Sequence, residues 1–328
     1  MTTVLIVIAV FAAFLLVMNL WTRKITRHGL ETVPQLGQIT PVRGGSIHYV
    51  EKGNPEAQTI VMVHGLAGQL QHYTYALVDL LADDYHVIAL DRPGCGYSTR
   101  DAAELAQLPK QASMIAEFLE AKSVDRAILV GHSLGGAVSL AMALDHPDRV
   151  AGLALLAPLT HKLPETPAIF KPLEIRAEWL RSLIGNTLAV PLASKTAPHT
   201  LGAAFDPEIP PDDFLDRAGG ALGLRPSAFV TASQDVIGVD VSINAQVARY
   251  PDLTVPGGIL YGRQDAILSP PLHGPSMTDF GLSYEELDKF GHMILITEPE
   301  TCAAFIRRMA DATTSSQMSL RDMPPEPV

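Results

Sequence analysis

Ser133 sits in Gly131-His132-Ser133-Leu134-Gly135, directly after the apolar run Ile128-Leu129-Val130 and ahead of a helical pattern over Gly136–Asp145. A serine between two glycines at a strand–turn–helix junction is the pattern of a nucleophile held in a sharp, strained turn. Side chains at 131 and 135 would collide across such a turn, so the geometry requires Gly131 and Gly135. The turn lifts the hydroxyl above the sheet, at a helix N-terminus whose amides favour negative charge. A Gly-rich structural turn around a buried serine is the plainer alternative, and the strand–turn–helix setting weighs against it.

A nucleophilic serine needs a base, and the base needs an orienting carboxylate. Eleven histidines compete for the role, so position decides. In elbows of this type the chain order is serine, acid, histidine. Asp265 ends Gly258-Ile-Leu-Tyr-Gly-Arg-Gln-Asp265, just beyond an apolar strand, and His292 follows in Lys289-Phe-Gly-His-Met, ahead of the last helical pattern. Both then fall at the carboxyl edge of the sheet, where active-site loops meet. The bland alternatives are a loop-capping acid and a helix-entry histidine. Asp235 and Asp252 do not directly follow a strand, and His146, His161, His199 and His273 read as surface or cap residues.

Acyl transfer also needs donors for a developing oxyanion. The Leu134 amide, next after the serine, is one, and the Leu66 amide in Val63-His64-Gly65-Leu66 is the expected second. Gly65 keeps that turn tight, and His64 reads as a structural residue bonding loop backbone. Asp91-Arg-Pro-Gly-Cys-Gly-Tyr-Ser98 specifies a rigid loop beside the elbow, with Cys95 a packed, inert thiol. No metal-ligand cluster, phosphate loop or dinucleotide glycine pattern is present, so no cofactor is expected.

These residues need a scaffold that brings loops together. Ser46–Glu51 reads as a first strand, and Thr59–Val63, His86–Leu90, Arg126–Val130, Val150–Leu156 and Gly258–Tyr261 are continuous apolar runs of the kind covered on both faces. Helical patterns over Tyr75–Leu81, Pro109–Ala121 and Gly136–Asp145 alternate with them, which predicts an α/β fold with a doubly wound, mostly parallel sheet. The rhythm breaks from Leu159 to Tyr250. Helical patches at Ala168–Ile184, Asp212–Leu222 and Ala228–Val236 mark a helical cap at 159–250, between core segments 41–158 and 251–310. Residues 23–40 read as a linker and 311–328 as a disordered tail.

Apolar residues make up 47% of the 328-residue chain and charged ones 18%, enough for a sizeable core. The net charge of −11 argues against a nucleic-acid partner. Two cysteines exclude a disulfide scaffold. The mean hydropathy of +0.19 is high and traces to the N-terminus. Val4–Leu20 holds one polar residue, Asn19, and no charge. At 1.5 Å per residue it spans roughly 26 Å, enough for a thin bilayer. Trp21 stands at the interface position, and Arg23, Lys24 and Arg27 follow. Residues 1–22 are therefore expected to form a transmembrane helix that meets the lipid bilayer through residues 4–21. The positive flank expects the main domain in the cytoplasm. A cleaved signal peptide, the rival, would want charge before the apolar run and small residues at its end.

Taken together, His64-Gly65, Asp91–Ser98, Gly131–Gly135, Gly262-Arg-Gln-Asp265 and Gly291-His292 give residues 41–310 a clear likeness: the chain resembles the α/β-hydrolase fold superfamily in its lid-bearing branch. The resemblance implies Ser133 as nucleophile, His292 as base, Asp265 as third member, and the Leu66 and Leu134 amides as oxyanion hole. It implies that Leu159–Tyr250 is a lid shaping the substrate pocket. Haloalkane dehalogenases and epoxide hydrolases of the superfamily carry Asp at the nucleophile position, so Ser133 argues against those activities. A membrane-anchored member with a serine nucleophile is similar to monoacylglycerol lipases and carboxylesterases. The expectation is a serine hydrolase of small-molecule esters, lipophilic ones by the apolar cap residues Phe170, Leu173, Trp179, Leu180, Leu183, Ile184 and Phe229. Hydrolysis of a carbon–carbon bond in ring-cleavage products is the rival within enzymes. A non-catalytic ligand-binding module on the same fold is the rival outside them.

Overall fold

A computed structural model describes residues 1–321, with side chains through Thr313. Nine strands form one sheet: β1 (Gln38–Val42), β2 (Gly45–Lys52), β3 (Thr59–Val63), β4 (His86–Leu90), β5 (Thr99–Arg100), β6 (Ala127–His132), β7 (Val150–Leu156), β8 (Gly257–Gly262) and β9 (Leu282–Leu287). Their spatial order is β1-β2-β4-β3-β6-β7-β8-β9, with β5 paired to β2. β2 pairs antiparallel with β1, β4 and β5, and β4, β3, β6, β7, β8 and β9 run parallel to one another. Every residue of β3, β4, β6 and β7 is buried, as strands covered on both faces must be. The two-residue alternation splits the core: Val61 and Val63 face one layer, Ile60 and Met62 the other.

The helices are α1 (Thr2–Thr32), α2 (Gln71–Thr74), α3 (Leu77–Leu81), α4 (Leu108–Ala121), α5 (Leu134–Asp145), α6 (Glu178–Ile184), α7 (Val190–Phe205), α8 (Pro226–Val247), α9 (Pro270–His273), α10 (Ile294–Thr297) and α11 (Pro299–Arg321). α4 and α5 cover one face of the sheet. α3 and α11 cover the other, where Cys302, Phe305 and Ile306 of α11 are buried. Between β7 and β8 the chain leaves the sheet to form the cap, α6 to α8.

Several boundaries differ from the sequence reading. Residues 23–40 are not a linker, since α1 continues to Thr32 and β1 opens at Gln38. Pro34, Gly37 and Pro41 had the look of a connection, but β1 is an edge strand, where proline is tolerated. α11 extends to Arg321, past the 311 start of the expected tail, whose last residues, 322–328, lie outside the described residues. Within the cap, Asp212–Leu222 is mostly turn, and α8 is far longer than Ala228–Val236.

α1 is long and apolar enough to cross a membrane. Its C-terminal half packs on the cap, where Pro191 sets the contact. α6 runs into α7 through a π turn at Gly185–Ala189. Pro191 carries no N–H, so the carbonyls of Thr187 and Asn186 lack their α- and π-register donors respectively. α1 supplies both: Thr22 Oγ1 donates to Thr187 O (2.8 Å) and Asn19 Nδ2 to Asn186 O (2.8 Å). Further along, a Cβ at Gly29 would stand 2.6 Å from Ala221 O, so only glycine allows the approach.

Candidate active site

β3 and β6 pair in parallel with Val63 opposite Gly131, so the loops after them emerge side by side at the carboxyl edge of the sheet. One carries His64-Gly65-Leu66 and the other the elbow. Ser133 has φ 52° and ψ −122°, a conformation that L-residues occupy only under constraint. A Cβ on Gly131 would fall 2.7 Å from Gly135 O. One on Gly135 would fall 1.9 Å from Val63 O, so this glycine admits the neighbouring strand rather than the far side of its own turn. A Cβ on Gly65 would fall 2.9 Å from that of Ser133, which places the β3 loop against the serine.

The end of β8 brings in the acid. Gly262 lies so close to the loop before His292 that a Cβ there would be 2.2 Å from Gly291 O and 2.3 Å from Phe290 O. Asp265 then meets His292, whose Nδ1 donates to Asp265 Oδ2 at 2.7 Å. Asp265 Oδ1 accepts the amides of Ile267 and Leu268, each at 2.8 Å. With Nδ1 committed as donor, Nε2 is the nitrogen free to take a proton. His132, beside the serine, donates from Nε2 to His292 O (3.0 Å), and the two rings are 4.8 Å apart. The structure thus gathers Ser133, Asp265 and His292 at one sheet edge. The Ser133 hydroxyl itself makes no hydrogen bond among the described residues.

The backbone amides of Leu66 and Leu134 have no hydrogen-bond partner among the described residues. Both residues line, with Ser133, a cavity of about 550 Å³. Its walls are apolar, with Leu159, Phe170, Val236, Ile243 and Ile267. Its mouth is charged: Asp240 accepts from Lys162 and Arg176, both at 2.8 Å. Of the apolar cap residues singled out in the sequence, Phe170 lines the cavity, while Trp179 is 70% exposed and Leu183 39% exposed on the outside.

His64 bonds backbone on both sides. Its Nδ1 donates to Gly65 O (2.8 Å) and its Nε2 accepts the Arg92 amide (2.9 Å). Burial, and secondarily Arg92, hold its pKa well below the usual histidine value. Burial does the same to His132, with His292 adding to the effect. His72 and His273 are lowered to about 4 by burial. His273, whose sequence position reads as surface or cap, is buried on α9. Cys95 is buried and its thiol is pushed up to about 12, an unreactive group.

Two cap carboxylates reach the site loops in ways that the sequence does not announce. Glu208 Oε2 accepts the Gly291 amide (2.8 Å), and its Oε1 accepts Thr297 Oγ1 (2.9 Å). Asp235, weighed only as a catalytic acid, is fully buried between Arg92 (2.8 Å) and Arg100 (2.7 Å). Such partners are remote in sequence, and no local pattern announces them.

A family model described as the alpha/beta hydrolase fold matches residues 58–299. A dihydrolipoyllysine-residue acetyltransferase component of an acetoin cleaving system from Cupriavidus necator is 37% identical over 131 residues, 40% of this chain and 34% of that protein. An uncharacterised hydrolase of Bacillus subtilis is 35% identical over 127 residues, 39% of this chain and 46% of its own length. The chain therefore spans less than half the length of these curated relatives. Among solved structures, a bacterial membrane phospholipase A superposes with a TM-score of 0.66 at 22% identity, covering 95% of this chain and 98% of that one.

Proposed function

The chain belongs to the alpha/beta hydrolase fold family, and from that premise we propose that it is a serine hydrolase that cleaves lipophilic carboxylic esters through an acyl-enzyme on Ser133. The observation that carries the reading is the set of groups around one cavity: a strained serine and two unpaired amides, with an oriented Asp265–His292 pair at the same sheet edge. His292 Nε2 takes the Ser133 proton as the hydroxyl attacks the ester carbonyl. The Leu66 and Leu134 amides receive the oxyanion, each such donor being worth roughly 3 kcal/mol of barrier. Asp265 stabilises the imidazolium, which then protonates the leaving alcohol, and water repeats the sequence on the acyl-enzyme. The apolar walls suit an acyl chain, and the charged mouth suits a polar alcohol half facing solvent.

α1 is read as a retained membrane anchor, with Arg23, Lys24 and Arg27 placing the hydrolase domain on the cytoplasmic side. The support is its docking on the cap through Asn19, Thr22 and Gly29, contacts that a cleaved leader would forfeit.

The test is hydrolysis of p-nitrophenyl esters from acetyl to palmitoyl by the full chain in detergent, with a fluorophosphonate probe and Ser133→Ala alongside. Loss of both turnover and labelling in the variant supports the mechanism, and the preferred chain length measures the pocket. Folded parent protein with no turnover at any length would refute the ester reading and direct the search to carbon–carbon bond substrates. Ligand binding without labelling would favour a binding module.

A further inference from the structure

Arg92 is wholly buried, and its guanidinium is spent on backbone of the β3 loop. Nε donates to His64 O (2.8 Å) and Nη2 to Gly65 O (3.0 Å), while Nη1 reaches Gln111 Oε1 (2.7 Å) and Asp235 Oδ2 (2.8 Å). The Gly65 carbonyl and the Leu66 N–H belong to one peptide unit. That unit is planar and trans, so its C=O and N–H point in opposite directions. Gly65 O accepts from three donors, Arg92 Nη2, His64 Nδ1 and, at 3.3 Å, the Gly68 amide of its own turn, and the two side chains, the shorter contacts, fix the plane of the peptide. The Leu66 N–H must then face the other way, into the space it lines with Ser133.

Asp235 completes the chain of contacts. It sits on α8, one residue before Val236, which lines the cavity, and its carboxylate is shared between Arg92 and Arg100. A lone buried guanidinium would be costly, and an arginine fork binds a carboxylate in fixed geometry. The cap thus supplies the counter-charge that keeps Arg92 in place beneath the loop.

We propose that Arg92 and Asp235 are positioning residues: the cap, through Asp235, holds Arg92 so that the Gly65–Leu66 peptide aims its N–H at the oxyanion formed on Ser133. The proposal rests on the serine hydrolase reading and adds to it a reason for the cap to affect the chemical step as well as substrate choice. An oxyanion donor acts on the transition state, so misaiming it lowers kcat and leaves KM nearly unchanged.

Two charge-preserving variants test this in the full chain. Arg92→Lys keeps the charge but offers three donors from one nitrogen in place of a planar fork that serves four acceptors, and Asp235→Glu displaces the guanidinium by one methylene. The expected result is kcat lowered about 10- to 100-fold with KM unchanged, short of the 10²–10³ lost when a donor is removed outright. Affinity for a trifluoromethyl ketone, which places an oxyanion in the site, should fall by the same factor. Folded variants with parental kcat and parental ketone affinity would overturn the proposal. So would failure of both to fold, which would make the pair a structural ion pair alone. Parent protein and Ser133→Ala run beside them: if the parent neither turns over ester nor labels at Ser133, it is the hydrolase reading that fails.

Discussion

Asp265 shows how much one side chain decides. Its Oδ1 is tied to the Ile267 and Leu268 amides and its Oδ2 to His292 Nδ1. Asp265→Asn would keep its oxygen on the two amides and turn its NH₂ toward the ring, forcing the proton onto Nε2, the wrong tautomer for a base. Turnover should fall roughly 10⁴-fold with little change in Tm. Steady-state kinetics beside a thermal melt checks this, and turnover within tenfold of the parent would remove Asp265 from the role. The placement of Ser133, Asp265 and His292 at one sheet edge was legible because each is bound to a short local pattern: an elbow, a strand end, a Gly-His before a helix. Arg92 stands in a loop the sequence marks, but its partner Asp235 lies 143 residues away, and spacing is silent over that range.

Central strands were legible as apolar runs, and the two strands at the sheet edges were not. β3, β4, β6 and β7 announce themselves as unbroken apolar runs. β9, with the sequence Leu-Ser-Tyr-Glu-Glu-Leu, is an edge strand and went unseen, as did β1. Contacts between distant elements make the sharper predictions. Glu208 holds the loop carrying His292. Glu208→Ala frees the Gly291 amide and should lower kcat several-fold, with Glu208→Gln intermediate because it retains one acceptor; equal activity in all three proteins would count against a positioning role. Where α1 meets the cap, Thr22→Val leaves a buried Thr187 carbonyl unpaired, at a cost of about 1–3 kcal/mol. A drop in the melting temperature of the cap, followed by limited proteolysis, measures it, and an unchanged melt would mean another donor replaces the hydroxyl.

At the scale of the molecule, four buried histidines make the fold sensitive to acid. His64, His72, His132 and His273 have native pKa values below the ordinary 6.5, with burial the leading cause in each. Above pH 6.5 both native and unfolded chains carry them neutral and nothing is lost. As pH falls below 6.5 the unfolded chain binds protons that the native one refuses, so stability declines. For His72 and His273 the decline continues to about pH 4, where the native rings titrate too. Each such group costs about 1.4 kcal/mol per pH unit within its window. Calorimetry should show Tm decreasing steadily from pH 6.5 to 5, and a flat Tm there would contradict the burial of these rings as neutral groups.

The docking of α1 on the π turn also sets an order of events during synthesis. Asn19 and Thr22 leave the ribosome 167 and 165 residues ahead of the carbonyls they bond. At about 5–20 residues per second, that gap is roughly 10–30 s. For that interval the helix exists without its seat, and afterwards the cap presents the two carbonyls to which Asn19 and Thr22 donate. A nascent chain stalled before residue 186 should therefore present α1 freely to cross-linking at Thr22, and one stalled well beyond the cap should protect it.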